Sequence, residues 1–376
     1  MKVAFISYDF AEYSIQHANG LVGECDVLLM LAKNSAAEYE PLLDRAVRYR
    51  PFHSPRLRQP LRQMTTAAAL MHQVRRFNPD VIHFQHGHLW FNFVLPWLRS
   101  YPLVITIHNP RHHAGDRASR KTPQRLMDFG FRRADRVIVH GETLKREVVN
   151  ELGIPASKVH VVPHIAFGQV AAAAPLETGE KRVLFFGRIW KYKGLEYLIR
   201  AQPAITRAMP DAKIVIAGQG DDFEPYRRMM PEPDRFEIHN RYITATERHE
   251  LFRSSTVVVL PYIEATQSGV IPFAYSYAKP VVATHVGAIP EAVDDGITGI
   301  LIPPRDAAAL ADAVIGLLRD PIRSKAMGAA GRAKLDRECA PHVVGSQTIE
   351  VYRQAIADRA AARKSVPIIT PATSTN

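Results

Sequence analysis

The residues best suited to chemistry lie in FFGRIWKYKGLEYLI, residues 185–199. An apolar run ends at Gly187, Arg188 and Lys193 flank a short turn, and Gly194 opens a helical pattern. Free N–H groups at a helix start together with two cations make an anion site. A diphosphate needs both cations on one side of a loop with room for close approach. Arginine and lysine in such a loop are equally compatible with plain surface charge. In IVIAGQGDD (214–222), Gly218 and Gly220 follow a strand-like run, where the backbone can pass close to a ligand or simply turn. In PYIEATQSGVIPFAYSYAKPVVAT (261–284), Glu264, Thr266, Gln267, Ser268 and Gly269 separate an apolar run from an apolar helix. The backbone amides of Gln267 to Val270 suit phosphate oxygens, and Thr266 or Ser268 also suits a simple N-cap. By itself HVGAIPEAVDDGITGILIPP (285–304) reads as scaffold.

The elements that must position these groups follow from the hydrophobic pattern. KVAFISY, DVLLML, DVIHFQ, LVITIH, RVIVHG and VHVVPH in the first half, and RVLFFG, AKIVIAG, RFEIHN, VVVLPY, PVVATHVG and GILIPP in the second, are short apolar runs each followed by a helical pattern. Continuous rather than alternating runs predict strands covered on both faces, and strand–helix alternation predicts an α/β, doubly wound parallel architecture. A chain of 376 residues accommodates two such domains at ~100–200 residues each. The boundaries expected are a first domain over 1–167, a small-residue and Pro/Gly-rich linker over 168–181, a second domain over 182–340, a helix over 341–365 and a disordered Pro/Thr-rich tail over 366–376. Thr244 and Glu247 form a capping box before Leu251 and Phe252, and Asp306 caps a helix carrying Leu310, Ala313, Val314 and Leu317.

Read together and in order, FGRI, KGLEYLI, IAGQG, LPYIEATQSG, AKPVVATHVGAIPEAV and DGITGILIPP resemble the C-terminal domain of glycosyltransferase family 4. PDVIHFQH (79–86), LVITIHN (103–109) and ADRVIVHGETLKREVVNELGIPASKVHVVPH (134–164) extend the resemblance over nearly the whole chain. It implies a GT-B fold, in which two Rossmann-like domains face a central cleft, and retaining transfer from a nucleotide diphosphate sugar, UDP- or GDP-linked, with no metal required. Arg188 and Lys193 match the family's cations on the donor diphosphate, and His108 matches the histidine at the transferred sugar. These three are the implied catalytic residues. Thr266 to Gly269 match the loop on the sugar and phosphates, beside Glu264. Gly187, Gly218 and Gly220 line the donor, and Arg241, Tyr242 and Ile243 border the nucleobase. Gly20 matches a glycine-rich turn near the diphosphate in the loop after the first strand. Two glutamates common in the family are here Ala265 and Phe273. The Thr-Gln-Ser-Gly variant resembles a branch of the same family.

The formal charge of +11, from 48 Lys and Arg against 37 Asp and Glu, asks for an anionic partner. Arg45, Arg48, Arg50, Arg56, Arg58, Arg62, Arg75 and Arg76 occur with no acid between positions 45 and 79. Arg56 to Phe77 reads as a helix with Leu57, Leu61, Met64, Leu70 and Val74 among the arginines, which suits an anionic membrane surface or a solvated basic face. Arg111, Arg117, Arg120, Lys121, Arg125, Arg132 and Arg133 form a second cluster, with His112 and His113 placed toward the acceptor side. Trp90, Phe91, Phe93 and Trp97 suit a buried helix better than interfacial aromatics. In the family the N-terminal domain faces an acceptor that is often a glycan or is lipid-linked, so a cytoplasmic enzyme peripheral at the inner membrane face is expected. The two cysteines are too few for a disulfide framework, and the start of the chain lacks the pattern of a secretory leader. His83, His86 and His88 fall at a strand end where alternate residues point apart, so no metal site is expected. The rival readings are a GT-B relative with other nucleotide-sugar chemistry, such as an epimerase, and a nucleic-acid-binding protein. No zinc finger, helix-turn-helix or RRM signature supports the last, and no nucleic acid is expected as a partner.

Overall fold

The computed structural model describes residues 1–111, 123–168, 181–220 and 222–364. His112, His113, Arg117, Arg120, Lys121, most of the linker and the tail lie outside the described residues. The first sheet contains β1 (Lys2–Ser7), β2 (Asp26–Ala32), β3 (Arg48–Phe52), β4 (Val81–Gln85), β5 (Leu103–Thr106), β6 (Arg136–Val139) and β7 (Val159–Val161) in the order β3-β2-β1-β4-β5-β6-β7. The second contains β8 (Lys181–Phe186), β9 (Ala212–Ala217), β10 (Phe236–His239), β11 (Val257–Leu260), β12 (Val281–Thr284) and β13 (Gly299–Ile302) in the order β10-β9-β8-β11-β12-β13. Every pairing is parallel.

The continuous apolar runs have the cause expected of them. Val3, Phe5 and Leu29 enter one core, while Ala4, Ile6, Leu28 and Met30 enter another on the opposite face. In the second sheet Val183, Phe185, Ile214 and Ile216 pack toward the helices Leu195–Ala208 and Ala307–Arg319. Thr244 and Glu247 form the capping box of helix Ala245–Ser254, and Asp306 accepts from the Ala309 N–H at 2.9 Å.

Helix Pro341–Lys364 leaves the second domain and lies against the first. Thr348 Oγ1 is 2.9 Å from His17 Nε2, Tyr352 Oη is 2.6 Å from His83 Nδ1, and Arg136 pairs with Asp358 at 2.6 Å. This contact corrects the reading of Gly20. The loop after β1 is Tyr8–Phe10, and Gly20 instead ends helix Ala11–Gly20. A Cβ on Gly20 would lie 2.0 Å from Pro341 O, and one on Gly345 would lie 1.9 Å from Gly20 O. Close helix packing, not a diphosphate, requires the glycine there.

The basic helix also differs in register from expectation. It spans Pro60–Phe77 and buries Gln63, Ala67, Leu70 and Val74, leaving Leu61 79% and Met64 61% exposed. Phe91 is buried, but Phe93 and Trp97 are exposed. No helix among the described residues is long and apolar enough to cross a membrane.

Candidate functional site

In an open parallel sheet the crevice beyond the carboxyl ends of the strands opens where the strand order reverses. In the second domain that point lies between β8 and β11, so the loops after these two strands must carry the site. Gly187, at φ 120°, donates to Ala217 O at 2.9 Å, and Gly218, at φ 143°, donates to His239 O at 3.0 Å. A Cβ on Gly218 would sit 1.9 Å from Gly187 O, so only glycine allows these two turns to touch. Ile189 donates to Gln219 O at 3.0 Å, and Gly220 donates to Asn240 Oδ1 at 3.1 Å. The three strand ends are thereby zipped together.

A 3-10 turn, Lys191–Lys193, then leads to Gly194 at φ 66°, where a Cβ would meet Pro261 O at 1.9 Å. Ile263 donates to Tyr192 O at 2.8 Å and joins this turn to the loop after β11. The Lys193 ammonium rests 3.7 Å from the Tyr262 ring centroid, and the Arg188 guanidinium lies 4.2 Å from that of Trp190. Tyr262 Oη is 3.1 Å from Ser268 Oγ. Desolvation and the neighbouring Arg188 pull the Lys193 pKa well below its ordinary value. Among the described residues no carboxylate pairs with either cation. Two like charges held together without a counter-ion favour an incoming anion.

The remaining second-domain residues divide. Ser268 is buried, Glu264 is exposed, and Gln267 Oε1 is buried with no partner among the described residues. Gly269 precedes helix Val270–Ser276. Arg241 is taken up by Glu247 at 2.6 Å, Tyr242 is 63% exposed with its hydroxyl donating to Glu38 Oε2 at 3.2 Å, and Ile243 packs on the core. Asn240, beside Gly220, was not singled out from sequence. Ala265 and Phe273 are both buried.

The first domain reaches this site through the loop after β5. Thr266 Oγ1 donates to Asn109 Oδ1, next to His108. His108 is fully buried, and its tautomer is set from a distance. Val162 O can only accept, so His140 Nδ1, 3.0 Å away, carries the proton. His140 Nε2 must then accept from His108 Nδ1 at 3.1 Å, and His108 Nε2 accepts from the Gln85 amide. Burial lowers the His108 pKa well below the usual range, with His140, His164, His86 and His17 adding repulsion. His140 is lowered to about 4. His83 turns inward to Thr106 and Tyr352, while His88 stacks on Tyr8 at 3.6 Å. Among the described residues no group of three or more His, Cys, Asp or Glu side chains is placed to hold a metal ion.

These histidines set a pH dependence. His140 and His88, both lowered to about 4 from an ordinary 6.5, take up protons more readily in the unfolded chain. Their contribution is complete above pH 6.5 and is lost as pH falls toward 4, at about 1.4 kcal/mol per histidine per unit. The urea midpoint is expected to be lower at pH 5.0 than at pH 7.5 with unchanged slope, and equal midpoints would contradict the burial of these rings.

Polar and ionic contacts hold the domains together. Arg248 pairs with Glu12 at 2.9 Å, with side chains only 13% and 9% exposed. Glu12 also accepts the Gly168 N–H at 2.7 Å, and Arg248 lies 4.1 Å from the Phe273 ring centroid. Glu291 accepts the N–H groups of Glu142 and Thr143 at 2.6 and 2.8 Å.

Two parallel-sheet domains of seven and six strands, the second with a cation pair at its switch point, define the GT-B fold. The profile of Glycosyltransferase Family 4 matches residues 12–165, and that of Glycosyl transferases group 1 matches residues 180–320. The chain belongs to the family 4 glycosyltransferases and is a sugar-transferring enzyme. Its relatives include a glycogen synthase of Mycobacterium tuberculosis, 27% identical across 78% of this chain and 73% of that protein. Another is a D-inositol 3-phosphate glycosyltransferase of Kineococcus radiotolerans, 28% identical across 80% of this chain and 78% of that one. Among solved structures, sucrose-phosphate synthase of Thermosynechococcus elongatus has a TM-score of 0.73 at 20% identity, covering 95% of this chain and all (100%) of that one. The Anabaena protein HepE in complex with UDP and glucose has a TM-score of 0.72 at 17% identity, covering 94% of this chain and 99% of that one. Likeness at such identities concerns the fold.

Proposed function

We propose that the enzyme moves a sugar, with retention, from a nucleotide diphosphate sugar to a glycan or lipid-linked acceptor. The observation that carries this reading is the Arg188–Lys193 pair, which no carboxylate among the described residues neutralises, beside the zipped glycine turns. Breaking the bond from sugar C1 to the diphosphate develops negative charge on the leaving oxygens, and preorganised cations stabilise it without a metal. The sugar becomes oxocarbenium-like, as in glycoside hydrolysis. The acceptor oxygen bonds to C1 from the face the phosphate leaves, and a phosphate oxygen takes the acceptor proton. No side chain then needs to attach covalently. The complex of HepE with UDP and glucose supports a nucleotide-linked donor, UDP- or GDP-linked in our reading. The test is a thermal-shift panel of UDP-, GDP- and ADP-sugars. A ligand at 100 times its Kd adds about 2.7 kcal/mol, and a flat response to all of them would refute the donor assignment.

We further propose that transfer occurs at the cytoplasmic face of a membrane. Arg56, Arg58 and Arg62 are exposed, and no carboxylate among the described residues pairs with them, while Leu61 and Met64 stand exposed on the same segment. Not all of the arginine run is free, since Arg48 is paired with Asp26 at 2.8 Å. Each basic residue near an anionic leaflet contributes about 1 kcal/mol. Replacing Arg56, Arg58 and Arg62 with Ser is expected to reduce binding to phosphatidylserine vesicles while donor hydrolysis persists. Undiminished vesicle binding would remove the membrane assignment.

A further inference from the structure

The His108 ring is fully buried, lies against the Phe10 ring at 4.2 Å between centroids and is met edge-on by Tyr13 at 5.0 Å. Held on its flanks, it keeps one neighbour for each nitrogen. Nδ1 faces His140 Nε2 at 3.1 Å, and Nε2 faces the amide of Gln85, itself buried. The Val162 carbonyl fixes the His140 proton on Nδ1 and so leaves a lone pair on His140 Nε2. A His108 ring protonated only on Nε2 would set a second lone pair against that one. A ring protonated on both nitrogens would be a cation without a counter-charge. Its neighbours His140 and His164 lie 4.8 and 6.0 Å away between ring centroids, and no carboxylate among the described residues pairs with any of the three. Gln85 completes the arrangement at a cost to itself. Its amide nitrogen turns to His108, and its Oε1 is left buried with no partner among the described residues. Buried polar atoms without partners are uncommon and call for a reason.

We propose that His140 and Gln85 are positioning residues that hold His108 as a neutral ring, protonated on Nδ1 and accepting on Nε2, while positive charge develops on the sugar beside it. The inference rests on the reading that places His108 at the transferred sugar. It adds two residues, one at the end of β4 and one just after β6, to which no motif gave a part in transfer. An imidazolium in that place would repel an oxocarbenium-like sugar, and the repulsion is strong where water is excluded. A neutral ring adds none. Neither positioning residue needs to touch the donor, because both act through the His108 ring. Asn109, the next residue, meets Thr266 of the donor loop, so the orientation of the ring is kept relative to both domains. A histidine is commonly held in one tautomer by the partner of its other nitrogen. Here that partner is a second histidine, whose own tautomer is dictated by a backbone carbonyl.

The test is nitrogen NMR on the full chain carrying isotope-labelled histidine, with the His108 signals identified by their loss in His108→Phe. At neutral pH the wild-type protein is expected to show His108 and His140 each as a neutral ring protonated on Nδ1. In His140→Leu, which removes the acceptor, the His108 proton is expected to move to Nε2, where a turned Gln85 amide accepts it. For hydrolysis of the nucleotide sugar that stabilises the protein, kcat of His140→Leu is expected to fall by about 10–100-fold, the usual loss when the group that orients a working histidine is removed. KM should stay at the wild-type value. His140→Gln, whose Oε1 accepts from Nδ1, is expected to recover most of kcat together with the wild-type tautomer, which a mere loss of packing would not bring about. A wild-type His108 protonated on Nε2 or on both nitrogens would overturn the proposal without any variant. So would an unchanged tautomer or an unchanged kcat in His140→Leu, or an equal loss in His140→Gln. Wild-type kcat in His108→Phe would instead overturn the placement of His108 at the sugar.

Discussion

Arg188→Ala is expected to abolish the nucleotide-dependent rise in melting temperature and to lower kcat/KM for transfer by about 10²–10³-fold, the usual loss when one preorganised stabilising group is removed. Lys193→Ala is expected to do the same, with a second and opposite effect on the empty protein. Lys193 is desolvated against Tyr262, lies beside Arg188, and has no carboxylate partner among the described residues. Its charge therefore opposes folding until an anion arrives. The ligand-free Lys193→Ala protein should melt higher than wild type, and the order should reverse once nucleotide is added. That crossing separates a ligand site from ordinary surface charge, because removing an exposed unpaired lysine changes stability little in either state. A variant that melts lower without ligand and still responds to nucleotide would refute the assignment of the pair.

Arg248→Met is expected to destabilise the protein by about 3–5 kcal/mol, because Glu12 would be left buried and uncompensated. At roughly 2–4 °C per kcal/mol for domains of this size, the melting temperature should fall by about 6–20 °C. The double variant Glu12→Gln, Arg248→Met should recover most of the loss, since a buried pair is often worth little against neutral side chains of similar volume. The two residues sit on helices Ala11–Gly20 and Ala245–Ser254 of opposite domains, so the single variant should also loosen the cleft. Nucleotide stabilisation, which needs only the second domain's cations, should survive, while transfer, which needs both domains, should fall. Equal stability of wild type and Arg248→Met by urea denaturation would mean the pair is not closed in solution.

How much of this was legible in the sequence differs between elements. The runs VAFIS and VLFF read as doubly covered strands because both faces of each sheet meet helices, and the Thr244–Glu247 box is local chemistry that works at any address. β3 escaped detection for an equally physical reason. RYRPF is an edge strand paired only with β2, so it tolerates Pro51 and presents Arg48 and Arg50 to solvent. The helix Pro60–Phe77 was legible as a helix, but its face was not. Buried Gln63 replaces an apolar residue by donating to Pro55 O at 2.6 Å, which lets Leu61 and Met64 turn outward. At the candidate site, Gly187, Arg188 and Lys193 carried their signal in one contiguous motif. Glu12 and Arg248 carried none, since a pair more than two hundred residues apart leaves no spacing to read. Gly20 misled for the same reason, because its partners Pro341 and Gly345 lie at the far end of the chain.

The return of helix Pro341–Lys364 to the first domain bears on how the protein is made. Val344, Ile349, Tyr352 and Ala355 complete a core begun by Phe5 and Ile15, and Tyr352 closes over His83. A nascent chain therefore holds the first sheet with one face uncovered while the entire second domain is translated. At about 5–20 residues per second, the interval from Gly168 to Lys364 is about 10–40 s. The second domain, continuous in sequence, can fold before the first is finished. Helix Pro341–Lys364 leaves the ribosome after both sheets and covers strands made long before it, so termination between Pro341 and Tyr352 would leave that face of the first sheet open.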